Sequence, residues 1–210
     1  SQTAIFVQEL ATGRRERVAA HDGINGSPAF SPDGRRLAMT LSKDGNPEIY
    51  VLDLVTRELT RLTDSFGIDT EPAWSPDGSH VIFTSGRGGN PQIYKVPATG
   101  GMATRVTFQN DYNASASYAP DGRSVVLVPR VNGSFRIGLL DLATGVTRLL
   151  SNGRLDETPS FAPNGSMVLY ATLHNGRGVL AATSVDARVS QRLSQDLGEV
   201  REPAWSPLLR

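Results

Sequence analysis

Apolar and polar positions alternate along this chain in short bursts, and no stretch holds a 3.6-residue apolar period long enough for a helix. Gln92-Ile93-Tyr94-Lys95-Val96 alternates as a strand with two unlike faces should, and His80-Val81-Ile82-Phe83-Thr84-Ser85 is a β-branched and aromatic run. Turn formers separate the bursts. Pro76-Asp77-Gly78 joins a preset φ to a residue that accepts positive φ, residues 86–91 are glycine-rich, and Thr99-Gly100-Gly101 turns the chain again. Residues 72–107 therefore predict four short antiparallel strands at 72–75, 80–85, 92–96 and 104–107, lettered A to D in chain order.

This unit recurs. Ser31-Pro32-Asp33-Gly34 returns as Ser75-Pro76-Asp77-Gly78, Ala119-Pro120-Asp121-Gly122 and Ala162-Pro163-Asn164-Gly165, and Trp205-Ser206-Pro207 is a truncated fifth copy. The prolines at 32, 76, 120, 163 and 207 stand 44, 44, 43 and 44 residues apart. Arginines at 17, 61, 105, 148 and 192 keep the same beat, so two independent markers run in phase. Four antiparallel strands in a period of about 40–50 residues make a β-propeller blade. The expected fold class is thus all-β, a β-propeller of four-stranded antiparallel blades. Four blades would be complete, with strands C and D of another at the start (near residues 5–7) and one strand A at 203–205. Residues 1–210 then read as a piece of a larger propeller.

Composition narrows the function. The 210 residues carry 21 basic and 21 acidic side chains, which excludes the broad positive field that binds nucleic acid. No apolar run reaches the roughly 18 residues of a membrane span, so no membrane insertion is expected. The opening residues show no secretory leader, and the absence of cysteine excludes disulfides and thiolate metal sites. No nucleophile elbow, Walker loop or His-Glu-x-x-His pair is present, and His21, His80 and His174 fall at unlike positions of the repeat. No catalytic residue, resident metal or required cofactor is expected. Turn chemistry suffices for the aspartate of each Ser-Pro-Asp-Gly, and Trp74 and Trp205 read as packing between blades.

Binding chemistry gathers instead in the D–A connections. Strand A lines the channel of a propeller, so these connections sit at its mouth, and loops on a rigid scaffold are where binding residues concentrate. They end in Ile24-Asn25-Gly26-Ser27, Ile68-Asp69-Thr70-Glu71, Tyr112-Asn113-Ala114-Ser115, Leu155-Asp156-Glu157-Thr158 and Glu199-Val200-Arg201-Glu202. Five carboxylates, Asp69, Glu71, Asp156, Glu157 and Glu202, could converge there. They would suit a cationic segment or a hard cation such as calcium, which takes oxygen ligands. The same residue types before proline also make turns and bind backbone amides, so both readings stand.

Longer motifs resemble one family. Asp69-Thr-Glu-Pro-Ala-Trp-Ser-Pro76, Gly89-Asn-Pro-Gln-Ile-Tyr-Lys-Val96, Leu155-Asp-Glu-Thr-Pro159 and Glu202-Pro-Ala-Trp-Ser-Pro207 are similar, in order and over the whole chain, to the propeller of the TolB family. The resemblance implies a periplasmic, non-catalytic member of the Tol–Pal system, serving outer-membrane integrity and cell division. It implies a six-bladed propeller after an N-terminal α/β domain that this sequence lacks. Other Tol proteins would act through that region. The propeller mouth would bind the lipoprotein Pal, some colicins would mimic that contact, and calcium could occupy the channel. Carried over by motif, the contacts fall on Ile24, Ser27 and Thr70, with Asn25, Asp69, Glu71, Tyr112, Asn113, Asp156, Glu157, Thr158, Arg201 and Glu202 completing the rim. Ile24 stands where a histidine is expected and Ser27 where an alanine is. The alternative is the gating propeller of a prolyl-oligopeptidase-type serine peptidase.

Overall fold

The computed structural model describes residues 3–193 and 201–205, and among them the chain forms strands and no helix. It divides into two compact units: Ser1–Gly89 with Tyr94–Thr104, and Asn90–Ile93 with Arg105–Arg210.

In the first unit β1 (Ile5–Gln8) pairs antiparallel with β2 (Arg15–Ala19), matching the expected C and D strands at the start. A complete blade follows from β3 (Asn25–Phe30), β4 (Arg36–Leu41), β5 (Glu48–Asp53) and β6 (Leu59–Arg61), hydrogen-bonded in that order. The next sheet has the same order, with β7 (Asp69–Trp74), β8 (His80–Ser85), β9 (Gln92–Pro97) and β10 (Thr104–Arg105). The second unit holds β11 (Asn113–Tyr118), β12 (Ser124–Val131), β13 (Ser134–Phe135), β14 (Gly138–Asp141) and β15 (Thr147–Leu149). Its other sheet is β16 (Asp156–Phe161), β17 (Met167–His174), β18 (Arg177–Ser184) and β19 (Ser190–Leu193). Here β13 is an addition to the expected plan. It extends the B–C hairpin through Asn132 and Gly133, whose φ values of 50° and 76° make the positive-φ two-residue turn that suits a twisted hairpin.

The middle strands are buried on both faces, and their period-two alternation divides them between two cores. Leu37, Met39, Leu41, Tyr50 and Leu52 pack on Ile5 and Ala19. Ala38, Ile49 and Val51 turn the other way, onto Trp74, Val81 and Phe83 of the following blade. In the second unit Val126, Val128 and Ile137 meet Phe161, Val168 and Tyr170 in the same fashion. A blade is therefore cemented by its neighbours rather than by a core of its own.

Trp74 shows how. Its indole Nε1–H donates to the Ala29 carbonyl across the blade boundary (3.0 Å), and the Arg36 guanidinium lies 4.6 Å from the ring centroid. The Ser-Pro-Asp-Gly turns are held locally: Ser75 Oγ donates to Asp77 (2.6 Å), which also accepts the Ser79 amide (3.0 Å). These bonds hold the Asp77 carboxyl far below the usual range.

Two expectations need correcting. The inner strands begin at Asn25, Asp69, Asn113 and Asp156, so the tetrads placed in the D–A connections belong largely to strand A. The 203–205 segment carries no strand; Trp205 donates its amide to Ser160 Oγ (3.2 Å) and the residue is 41% exposed.

Trp74→Ala is expected to cost about 3–5 kcal/mol in chemical denaturation, as aromatic-to-alanine changes in packed cores do. Arg36→Ala, which removes the stacked cation and its long bond to the Gly78 carbonyl, should cost about 0.5–2 kcal/mol. Equal losses would refute the primacy of the indole.

Candidate functional site

The inner strand of every complete blade is bulged at one place. Register shifts fall between Gly26 and Ala29, Thr70 and Ala73, Ala114 and Ser117, and Glu157 and Ser160. Inside them Ser27, Glu71, Ser115 and Thr158 adopt φ of 48°, 56°, 52° and 49°, and Glu202, at the same position of the repeat, has φ of 50°. A side chain in this left-handed region costs about 1–2 kcal/mol relative to the right-handed one, so five in phase mark a strained, recurrent device. A bulge leaves its extra residue unpaired and re-aims its side chain.

Two residues before each bulged one sits a buried Asn or Asp. Asn25, Asp69, Asn113 and Asp156 are 6%, 0%, 0% and 1% exposed. Asn25 accepts the His21 amide at 2.9 Å and donates Nδ2 to the His21 carbonyl at 2.7 Å. Asn113 donates to the Gln109 carbonyl (2.8 Å) and to Gln92 Oε1 (2.9 Å). Asp156 accepts from Ser151 Oγ and Thr172 Oγ1 (2.5 Å each) and from the Gly153 amide (3.1 Å). Asp69 accepts the Arg87 guanidinium at 2.6 Å. Asparagine stands where a carbonyl must be met, and aspartate where only donors face it. These four side chains point into the fold and hold the connections; they are not outward contacts.

Asp69 carries a further mark. Burial pushes its carboxyl above the ordinary value, against the hydrogen bond from Ser85 and the positive charge of Arg87.

The outward positions differ between the units. In the first, Ile24 and Ile68 are 50% and 57% exposed, Phe66 is fully exposed and Ser27 is exposed. Thr70 accepts a long bond from Thr40 (3.4 Å), and Glu71 accepts one from Thr84 (2.8 Å). In the second, Tyr112 meets Phe135 edge to face at 5.2 Å, with the Arg130 guanidinium 5.7 Å from its ring. Leu155, Glu157 and Arg201 share the lining of one pocket of about 120 Å³, while Thr158 is half-buried with its Oγ1 unpartnered. Arg201 and Glu202 are exposed. The exposed apolar side chains Phe66 and Phe108 are not among the expected site residues; an aromatic residue in a polar connection is the sequence signal that marks them.

Calcium takes six to eight oxygens. Among the described residues no group of three or more acidic or histidine side chains could hold a metal ion, and Asp69 and Asp156 are engaged by the donors named above. The side-chain donor set does not fit calcium.

Four-stranded antiparallel sheets recurring about every 44 residues, each built on a bulged inner strand, define an all-β propeller domain. The family model described as TolB beta propeller domain matches residues 1–209, and the chain belongs to that family. It is 68% identical over 205 residues to the Tol-Pal system protein TolB of Alcanivorax borkumensis, covering 98% of this chain and 47% of that protein. Its likeness to the protein of the same name from Thioalkalivibrio sulfidiphilus is 61% over 87 residues, 40% of this chain and 20% of that one. The crystal structure of TolB from Acinetobacter baumannii matches with a TM-score of 0.92 at 46% identity, over 98% of this chain and 52% of that chain. The chain thus spans about half the length of these first relatives. A puromycin hydrolase matches at a TM-score of 0.68 and 13% identity, over 90% of this chain and 32% of its own, which shows the fold alone. The expected non-catalytic character agrees with relatives named for a system rather than a reaction.

Two outcomes follow from the buried position and the bulge. With its pKa raised above 3.8, Asp69 favours folding most when protonated; that contribution is complete below 3.8 and is lost as pH rises through the folded-state pKa. Asp69→Asn should therefore gain stability relative to the parent between about pH 4 and about pH 7 in urea denaturation. A gain that shrinks with rising pH would overturn the assignment. Thr158→Gly, which relieves a β-branched residue at positive φ and deletes an unpartnered hydroxyl, should raise stability by about 1 kcal/mol.

Proposed function

We propose that this chain serves the Tol–Pal system as a periplasmic, non-catalytic scaffold that binds the lipoprotein Pal at the D–A ends of its blades. In that role it supports outer-membrane integrity and cell division. Colicins would compete for the same surface, and other Tol proteins would engage regions outside this sequence. The observation that supports this reading best is the in-phase bulge at Ser27, Glu71, Ser115 and Thr158. It re-aims one side chain per blade, and the buried Asn or Asp two residues earlier holds the backbone that carries it. A surface fixed before binding spends little free energy on ordering, so modest contacts suffice for affinity. Exposed Ile24, Phe66 and Ile68 offer desolvation, while Glu157 and Arg201 offer charged contacts that set orientation.

The test is calorimetry with purified Pal. Thr70→Trp and Glu157→Trp should each weaken binding about tenfold or more while the thermal midpoint stays near that of the parent. Calcium should make no difference to the titration. Normal affinity in both variants would show that Pal docks elsewhere.

A further inference from the structure

The repeat provides an internal comparison at the opposite end of the blades, where the A–B turns lie. In the first unit Pro32 approaches Gly78 of the next blade, a Cβ on Gly78 lying 3.7 Å from Pro32 Cδ. In the second, Pro120 meets Gly165 the same way, at 3.5 Å. The two turn pairs are structural copies.

Their filling differs. Between the first pair, Arg36 reaches across the blade boundary, stacks 4.6 Å from the Trp74 centroid and donates Nη2 to the Gly78 carbonyl at 3.4 Å. Its charge lies close enough to Asp33 to help lower that carboxyl's pKa, after the bonds from the Ser31 hydroxyl and the Arg35 amide. Between the second pair the positions of Arg36 and Trp74 are taken by Ser124 and Phe161. The guanidinium is gone and its place is a cavity of about 410 Å³, lined by Ser124, Phe161, Gly165, Pro120 and Asp121 among others. Every residue that faces Arg36 has a counterpart in this lining, with Phe161 for Trp74, Gly165 for Gly78 and Asp121 for Asp33. The carboxylate also has more capacity. Asp33 accepts both the Ser31 hydroxyl and the Arg35 amide, whereas Ala119 stands in place of Ser31 and, among the described residues, Asp121 accepts the Arg123 amide alone.

We infer that the cavity between Pro120 and Gly165 is a binding site for the guanidinium of an arginine side chain presented by a partner polypeptide. The side chain would enter as Arg36 does, its plane on Phe161, with N–H donors to the Gly165 carbonyl and the Asp121 carboxylate. Arginine is selected over lysine because a planar fork can stack and donate at once, which a compact ammonium cannot. The site lies at the end of the blades away from the D–A surface, so a partner held here would leave that surface accessible.

The test uses the full chain, isotope-labelled, with N-acetyl-arginine N-methylamide as a peptide-like probe and the lysine analogue and free arginine as comparisons. Saturable shifts of the Ser124 and Gly165 amides are expected with the blocked arginine, and binding of the lysine analogue should be at least about tenfold weaker. Ser124→Arg, which restores the internal plug, should abolish the shifts while leaving the thermal midpoint unchanged or raised. Phe161→Trp, which strengthens the π face without changing the fold, should tighten binding about threefold and decides the matter if Ser124→Arg misfolds. No saturable shift, equal response to lysine, or full binding by Ser124→Arg would overturn the proposal. Tighter binding of free arginine than of the blocked form would overturn the polypeptide source.

Discussion

The D–A ends of three blades depend on one hydroxyl in the connection that follows each of them. Thr63, Thr107 and Ser151 accept the amides of Ile49, Ile93 and Ile137 at 2.9, 3.0 and 2.8 Å, closing the start of strand C. Each hydroxyl then donates onward: Thr63 to Glu48, Thr107 to Gln92 and Ser151 to Asp156. Glu48 is fully buried and also accepts the Ser65 amide at 2.7 Å, and Gln92 is tied to Asn113. A buried polar group left unpaired would cost about 1–3 kcal/mol, so such a chain is stable only when each member is present. The lock fixes where the connection leaves the sheet. The bulge then has a firm base on which to hold a strained residue.

This arrangement separates two demands that compete in most binding surfaces. Strain at Thr158 is offset by the bonds made at Asp156, its own hydroxyl having no partner, whereas Glu71 has the bond from Thr84 beside those made at Asp69. The outward side chains are consequently free to differ: Ser27, Glu71, Ser115, Thr158 and Glu202 have little in common beyond their backbone angle. Burying a charge at Asp69 is the expensive solution, tolerable because the Arg87 guanidinium, itself laid against Tyr94 at 4.8 Å, supplies both charge and donor.

The period and the strand types were legible because prolines, glycines and alternation act locally: proline 76 and glycine 78 make their turn whatever lies beside them. The inner strands' true starts were not. Asp69 joins its strand because it pairs with Ser85, and Asn113 because it pairs with Pro129, partners that lie across a turn and not beside them in sequence. The bulge was hidden for a related reason, since nothing in Ser27-Pro28 or Thr158-Pro159 signals positive φ on its own. Asp69 and Asp156 read as rim charges because sequence reports a carboxylate's identity and not its direction. The segment at 203–205 shows the converse: a strand-like motif, repeated faithfully, forms no ladder among the described residues.

Comparing the repeats with one another separates what the fold requires from what it permits. At the lock the substitutions are Thr, Thr and Ser, which all keep the bond to the strand-C amide, and at the buried anchor Asn and Asp change with the acceptors or donors that face them. At the start of strand B the series is Arg36, His80, Ser124 and Met167, which share neither size, charge nor donor pattern. A position tied by two or three buried bonds can change only within their geometry. A position that merely fills the space between two turns can be emptied, and the fold then loses packing but keeps its register. Divergence among the repeats therefore concentrates on the two ends of the blades, where a partner could supply the atoms that the chain has withdrawn.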